Sequence, residues 1–208
     1  MISFIYFDVG GVAMLDFSGT NKWEELKKEM GVNEDNNAAW EHVWSRYKNK
    51  VCLDCDVDSL VPLFRSEVGL DLPENYSLLN SFIKRFTVNT SIWPVVDAVA
   101  KKYRIGLLTN MYPRMLSTLF EQKLIPPKEK WEIILDSSEI GFQKPDKRLY
   151  EIAQQVSGVK NEEILFIENS LEHLQAAQDF GWQTFAYDSQ TPNESSRELM
   201  NVLNKNRI

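Results

Sequence analysis

Asp8 closes a short apolar run, Ile2–Phe7, and Gly10 and Gly11 follow it. Glycines just past a strand end let backbone N–H groups approach an anion closely. Thr109 and Asn110 end a second apolar run, Ile105–Leu108, and place a hydroxyl and an amide in the same kind of position. Lys144 stands in a loop-like stretch, Gly141-Phe142-Gln143-Lys144-Pro145-Asp146. Glu168, Asn169 and Ser170 end a third apolar run, Ile164–Ile167. A carboxylate, a hydroxyl, an ammonium and a second carboxylate converging on one edge suit Mg2+-assisted phosphoryl chemistry. Each residue alone has a plainer reading: a turn carboxylate, a packed threonine, a surface lysine, a helix cap. Their combination outweighs those readings, except at Ser170, where an N-cap remains the preferred role.

Elements able to position these residues are legible. Strands are expected over Ile2–Phe7, Tyr103–Thr109, Trp131–Asp136, Ile164–Glu168 and Trp182–Tyr187, because continuous apolar runs bounded by turn residues suit strands buried on both faces. Helical patterns alternate with them over Ile92–Lys102, Pro113–Lys123, Lys147–Val156, Leu171–Phe180 and Asn193–Lys205. That alternation predicts an α/β protein: a Rossmann-like parallel five-stranded sheet with helices on both faces. The stretch from Phe17 to Phe86 breaks the pattern with helices only, over Trp23–Met30, Asn36–Lys50, Val57–Val68 and Glu74–Phe86. It reads as an inserted α-helical cap over the carboxyl ends of the strands, where open α/β sheets bind ligands. The expected division is a core of residues 1–16 and 88–208 and a cap of residues 17–87.

Composition sets bounds on function. The chain has 208 residues, 43% hydrophobic and 25% charged, which fits one globular domain with an insert. Its net charge of −7 speaks against a nucleic-acid surface, which needs clustered Lys and Arg. It contains no apolar run of about 20 residues to span a membrane, and the N-terminal residues lack the basic flank of a signal peptide, so a cytoplasmic protein is expected. Cys52 and Cys55 form a lone Cys-x-x-Cys, expected to be a pair of reduced thiols.

The ordered motifs resemble the haloacid dehalogenase-like (HAD) hydrolases with a helical cap. Asp8-Val9-Gly10-Gly11-Val12 corresponds to that family's first motif, Asp-x-Asp-x-[Thr/Val], and Thr109 to its strand-end Ser or Thr. Lys144-Pro145-Asp146 corresponds to the third motif, and Glu168-Asn169-Ser170 to the acidic fourth. The resemblance implies that Asp8 is a nucleophile forming an aspartyl phosphate. It implies that Thr109, Asn110 and the Gly10-Gly11 turn bind the phosphoryl oxygens, and that Lys144 neutralises charge. Mg2+ would be held by Asp8, the Gly10 carbonyl, Glu168 and Asn169, and the substrate would be a small phosphorylated metabolite.

Two departures from the pattern matter. The family's second Asp, an acid and base, is Gly10 here, and its second motif-four acid is Asn169. General acid–base help contributes about 10²–10⁴-fold, so slow turnover and faster turnover on Gly10→Asp are expected unless another group substitutes. His42 is the only cap histidine, and a structural role for it is preferred. His173 is expected to pack or bond within its own helix. Trp40, Trp44 and Tyr47 share one helical stripe, read first as cap core. Two other functions compete with a Mg2+-dependent phosphatase: an impaired member that binds a phosphorylated ligand or a partner protein, and a 2-haloacid dehalogenase.

Overall fold

The computed structural model describes residues 1–205. In chain order its elements are β1 (Phe4–Phe7), β2 (Met14–Leu15), α1 (Lys22–Glu29), α2 (Asn37–Tyr47), α3 (Val61–Val68), α4 (Leu78–Ile83) and β3 (Thr87–Val88). Then come α5 (Ile92–Val99), β4 (Arg104–Thr109), α6 (Met115–Glu121), β5 (Ile133–Asp136), α7 (Ser137–Ile140) and α8 (Lys147–Ser157). The last are β6 (Ile164–Glu168), α9 (Leu171–Asp179), β7 (Gln183–Ala186) and α10 (Pro192–Lys205). Among the described residues, no helix is long and apolar enough to cross a membrane.

The five longer strands form one parallel sheet in the order β5-β4-β1-β6-β7. The chain leaves central β1 for β4 and β5 on one side, then returns to β6 and β7 on the other. The switch point therefore lies between β1 and β6, the place where such sheets open a ligand crevice. Both sheet faces are buried, which explains the unbroken apolar runs. Ile5, Phe7, Ile105, Leu107 and Ile167 pack one way with α5, α6, α10 and the cap. Phe4, Tyr6, Leu108, Leu149, Phe166 and Trp182 pack the other way with α8 and α9.

The helical region between β1 and β4 differs from its expected outline. The helix expected over Val57–Val68 is a 3-10 turn, Val57–Leu60, followed by α3. Pro62 has no N–H to donate, so the α-ladder cannot run through it. The helix expected from Glu74 begins only at Leu78, where Ser77 caps it and the Asp58 carboxylate accepts from Leu79 N at 3.0 Å. Pro113 lies outside α6: Arg114 holds a left-handed φ of 69° and the helix starts at Met115. Two short elements were unmarked in the sequence. The strands β2 and β3 pair antiparallel, Met14 with Val88 and Leu15 with Thr87, so the chain enters and leaves the helical region side by side.

Candidate active site

Asp8 continues the line of β1, its N–H donating to Ile167 O at 2.9 Å, which fixes its carboxylate at the carboxyl edge of the sheet. Lys144 reaches the same point from the loop between α7 and α8. The Asn110 side chain clamps that loop: Oδ1 accepts from Lys144 N at 2.8 Å and Nδ2 donates to Lys144 O at 2.9 Å. Lys144 Nζ then donates to Asp8 Oδ1 at 2.8 Å and to Glu168 Oε2 at 2.6 Å, and its side chain is 1% exposed. Two buried carboxylates thus share one ammonium and leave one excess negative charge. That excess falls on Asp8. Burial and the Glu168 charge push its carboxyl up to about 6 against the pull of Lys144. Burial also raises Glu168, but Lys144 and His173 outweigh it and hold that carboxyl at about 2. Burial alone would lower the Lys144 ammonium; the two carboxylates outweigh it and raise it above the usual lysine range.

A carboxylate has about four acceptor positions, and those of Glu168 are all engaged. Oε1 accepts from Asn169 N at 2.9 Å and Ser170 N at 3.0 Å; Oε2 meets Lys144 Nζ and, at 3.1 Å, His173 Nδ1. Glu168, rather than the Ser170 side chain, therefore satisfies the first N–H groups before α9, and Ser170 makes no side-chain cap bond. His173 serves this carboxylate instead of its own helix. Asn169 Nδ2 donates to Ser18 Oγ at 3.2 Å, which leaves its Oδ1 available. Gly11 has φ 77°, and a β-carbon on it would lie 2.1 Å from Asn169 Nδ2, so only glycine permits this approach. Thr109 ends β4 opposite Asp136, fully buried, and its Oγ1 has no partner. Trp40, Tyr76, Trp93 and Trp182 each also hold a buried polar atom without a partner, so what sets the Thr109 hydroxyl apart is its place at the carboxyl end of β4, where it is open to a ligand atom or water.

Oxygens that could face a cation at this point are the second Asp8 oxygen, the Gly10 carbonyl and Asn169 Oδ1; among the described residues no group of three or more His, Cys, Asp or Glu side chains is placed to hold a metal ion, so a cation here would rely on backbone, amide and water oxygens as well. Such a set fits a hard cation like Mg2+, which binds through one or two carboxylates and keeps several waters. The Glu168 oxygens already meet Lys144, His173 and two backbone N–H groups, so for Glu168 to ligate a cation one of these contacts would have to give way.

Above these residues lies a cavity of about 430 Å³, whose lining includes Phe17, Trp23, Trp44, Phe82, Phe86 and Tyr112. Trp23 stacks on Phe82 with ring centroids 5.6 Å apart. From the expected stripe, Trp40 is fully buried against Phe64 and Trp44 while Trp44 reaches the cavity. His42 is exposed and lies outside the lining. Cys52 lines the cavity, and burial pushes its thiol up to about 12, so it stays neutral. The cap is tied down at the cavity's rim. Arg114 pairs with Asp56 at 2.6 Å and Asp58 at 2.9 Å, and Ser137 Oγ donates to Cys52 O at 2.5 Å. Asp16, just past β2, also lines the cavity. No motif pointed to it; an acid eight residues beyond Asp8 carries no signal of its own.

A family model for haloacid dehalogenase-like hydrolases matches residues 63–181, more than half of the chain. The chain is 22% identical over 147 residues to bifunctional epoxide hydrolase 2 of Sus scrofa, covering 68% of this chain and 25% of that protein. It is 28% identical over 135 residues to the GMP/IMP nucleotidase YrfG of Escherichia coli K12, covering 64% and 54%. The matches thus span about a quarter to about half the length of these curated relatives. Among solved structures, the HAD family enzyme bt-2542 of Bacteroides thetaiotaomicron superposes with a TM-score of 0.76 at 16% identity, over 90% of this chain and 94% of that one. The same enzyme has been crystallised with magnesium and inorganic phosphate, with a TM-score of 0.72 to this chain at 16% identity over 91% and 96%. L-2-haloacid dehalogenase of Xanthobacter autotrophicus, with chloropropionic acid covalently bound, gives 0.62 at 21% identity over 97% and 83%. At these identities the structural likeness concerns the fold.

Proposed function

The chain belongs to the haloacid dehalogenase-like hydrolases, and from that premise we propose that it is a Mg2+-dependent phosphatase acting on a small phosphate monoester. The observation that carries this reading is Asp8 paired with buried Lys144 at the sheet's switch point, on the floor of the capped cavity. An Asp8 oxygen attacks phosphorus, the bond to the ester oxygen breaks, and an aspartyl phosphate forms. Lys144 neutralises charge between Asp8 and the phosphoryl oxygens. Thr109 Oγ1 and the backbone N–H groups around Gly10, Gly11 and Asn110 hold those oxygens. Asp8, the Gly10 carbonyl and Asn169 would hold Mg2+, with Glu168 beside it, and the ion supplies positive charge against the phosphoryl group. Aromatic walls above favour a leaving group with a flat or apolar body.

The test is phosphate release from an aryl phosphate, sugar phosphates, GMP and IMP, with and without Mg2+, by wild type and Asp8→Asn. Mg2+-dependent release abolished in Asp8→Asn supports the reading. A second reading, halide displacement from a small 2-haloacid by Asp8, draws on the apolar lining by Met14, Met111 and Met115. Chloride release from 2-chloropropionate without metal, and no phosphate release, would replace the first reading with it. Binding of phosphate esters with neither product formed would leave an impaired, ligand-binding member of the family.

A further inference from the structure

A phosphomonoesterase needs a proton for the departing alcohol and a base for the attacking water, and neither anchored carboxylate can supply them. Asp8 is the nucleophile, and the oxygens of Glu168 are saturated. The third acid lining the cavity is Asp16. Its Oδ1 accepts from Ser18 N at 2.8 Å, which fixes the side chain. Among the described residues the carboxylate has no ion-pair partner, the Lys22 ammonium donating instead to the Asp16 backbone carbonyl at 3.3 Å, and Oδ2 carries no hydrogen bond. That free oxygen points at Gly10: a β-carbon built there would lie 2.6 Å from Asp16 Oδ2 and 3.5 Å from Cγ. A carboxylate oxygen on an aspartate at position 10 would stand at a similar reach from that β-carbon. The Asp16 side chain thus fills the space that a side chain on residue 10 would take.

We propose that Asp16 is the general acid and base of the reaction, its carboxylate delivered from the root of the cap to the place beside Gly10. This rests on the phosphatase reading. In the first step Asp8 bonds to phosphorus and the phosphorus–ester oxygen bond breaks. Asp16, protonated, gives its proton to that oxygen and becomes a carboxylate. In the second step a water oxygen bonds to phosphorus while Asp16 takes the water's proton. The phosphorus–Asp8 bond breaks, inorganic phosphate leaves, and both aspartates return to their starting states. Of the other proton-carrying groups in the lining, His173 has its Nδ1 committed to Glu168, Lys144 is committed to Asp8 and Glu168, and burial pushes the Cys52 thiol and the Tyr112 phenol well above their ordinary values.

The geometry also reverses the expectation for Gly10→Asp. Alone, that substitution drives a second side chain into Asp16 Oδ2, so activity falls rather than rises. Paired with Asp16→Ala, it regains a carboxylate in the same place.

The experiment compares wild type, Asp16→Asn, Asp16→Ala, Gly10→Asp and the Gly10→Asp/Asp16→Ala double variant. Each is assayed on an aryl and an alkyl phosphate with Mg2+, with mass measurement of phosphorylated Asp8. Asp16→Asn keeps an acceptor for Ser18 N, so folding is preserved. Expected for it is a loss of about 10²–10⁴-fold on the alkyl ester. With the aryl ester, whose leaving group needs little protonation, Asp8 phosphorylation persists and the phosphoenzyme accumulates. The double variant should recover at least roughly tenfold over Asp16→Ala, within the range that acid–base help supplies. Unchanged turnover in Asp16→Asn overturns the proposal, as does an equal loss on both esters with no phosphorylated Asp8. A double variant no better than Asp16→Ala overturns the placement beside Gly10. A wild type that releases no phosphate overturns the phosphatase reading itself, and the role of Asp16 with it.

Discussion

Replacing Lys144 with Met removes one ammonium of similar reach from a site where its side chain is 1% exposed and bonds two carboxylates at 2.8 and 2.6 Å. The cluster's charge then goes from one excess negative to two. Breaking a buried ion pair by deleting one partner costs about 3–5 kcal/mol. That is a large share of the roughly 5–15 kcal/mol stabilising a typical domain. The loss depends on pH with a definite sign. In wild type, Glu168 at about 2 contributes stability that is complete above its ordinary value of 4.5 and fades as pH falls toward 2. Asp8 acts oppositely: held at about 6, it lowers stability as pH rises from its ordinary 3.8 through 6. Without Lys144 both carboxyls move up, so the variant's deficit is greatest near pH 8 and shrinks on going to pH 5. Urea unfolding at the two pH values, without Mg2+, measures this. Adding Asp8→Asn to Lys144→Met should recover part of the deficit, because it deletes one of the two stranded charges. A deficit below about 1 kcal/mol, or one equal at both pH values, would refute the reasoning, since an unpaired buried charge must titrate.

Thr109→Val removes an orphaned buried hydroxyl, so the ligand-free protein should gain about 1 kcal/mol, seen as a melting temperature higher by about 2–4 °C. The same variant should lose about 10²–10³-fold in kcat if that hydroxyl meets the phosphoryl group; a lower melting temperature with full activity contradicts both halves. Arg114→Ala releases Asp56 and Asp58, but the Arg114 side chain is 54% exposed, so the stability change should stay within about 1 kcal/mol. Its mark should be a raised KM that 0.5 M salt, on the order of the screening that weakens exposed pairs, partly reproduces in wild type. Burial pushes the Asp136 carboxyl up to about 6 despite donors from Ser138. Its ionisation therefore lowers stability as pH rises from about 4 to 6. Asp136→Asn should stabilise by up to about 2 kcal/mol at pH 8 and little at pH 4, read from thermal melts across that range.

The five-stranded sheet was legible because burial on both faces writes itself as unbroken apolar runs such as Phe4–Phe7 and Ile164–Ile167. Strand ends then located Asp8, Thr109 and Glu168, and the structure gathers Asp8, Lys144 and Glu168 into one hydrogen-bonded cluster. What escaped was whatever has no period. The strands β2 and β3 have two residues each, too few for any alternation to register. Likewise, Asn110 spends its side chain on the Lys144 backbone, a contact 34 positions apart. His173 faces Glu168 because α9 starts at the strand edge, and Asp16 reaches Gly10 because the chain doubles back through β2. These pairings follow from where the chain turns in space, which residue types do not record. The helix expected from Glu74 starts late for a reason distant in sequence as well: the Asp58 carboxylate, from another turn of the cap, takes the Leu79 N–H.

The two-stranded ribbon of β2 and β3 makes the cap a cassette. Leu15 and Thr87 are direct antiparallel partners, so their α-carbons lie about 5 Å apart, and a tight turn could join them with residues 16–86 cut out. Loop closure grows only slowly with length, so a graft of another size at this junction adds little entropy. Asp16 lies just inside that junction. Exchanging the cap would therefore transplant the proton carrier together with the aromatic walls, leaving the nucleophile behind in the sheet.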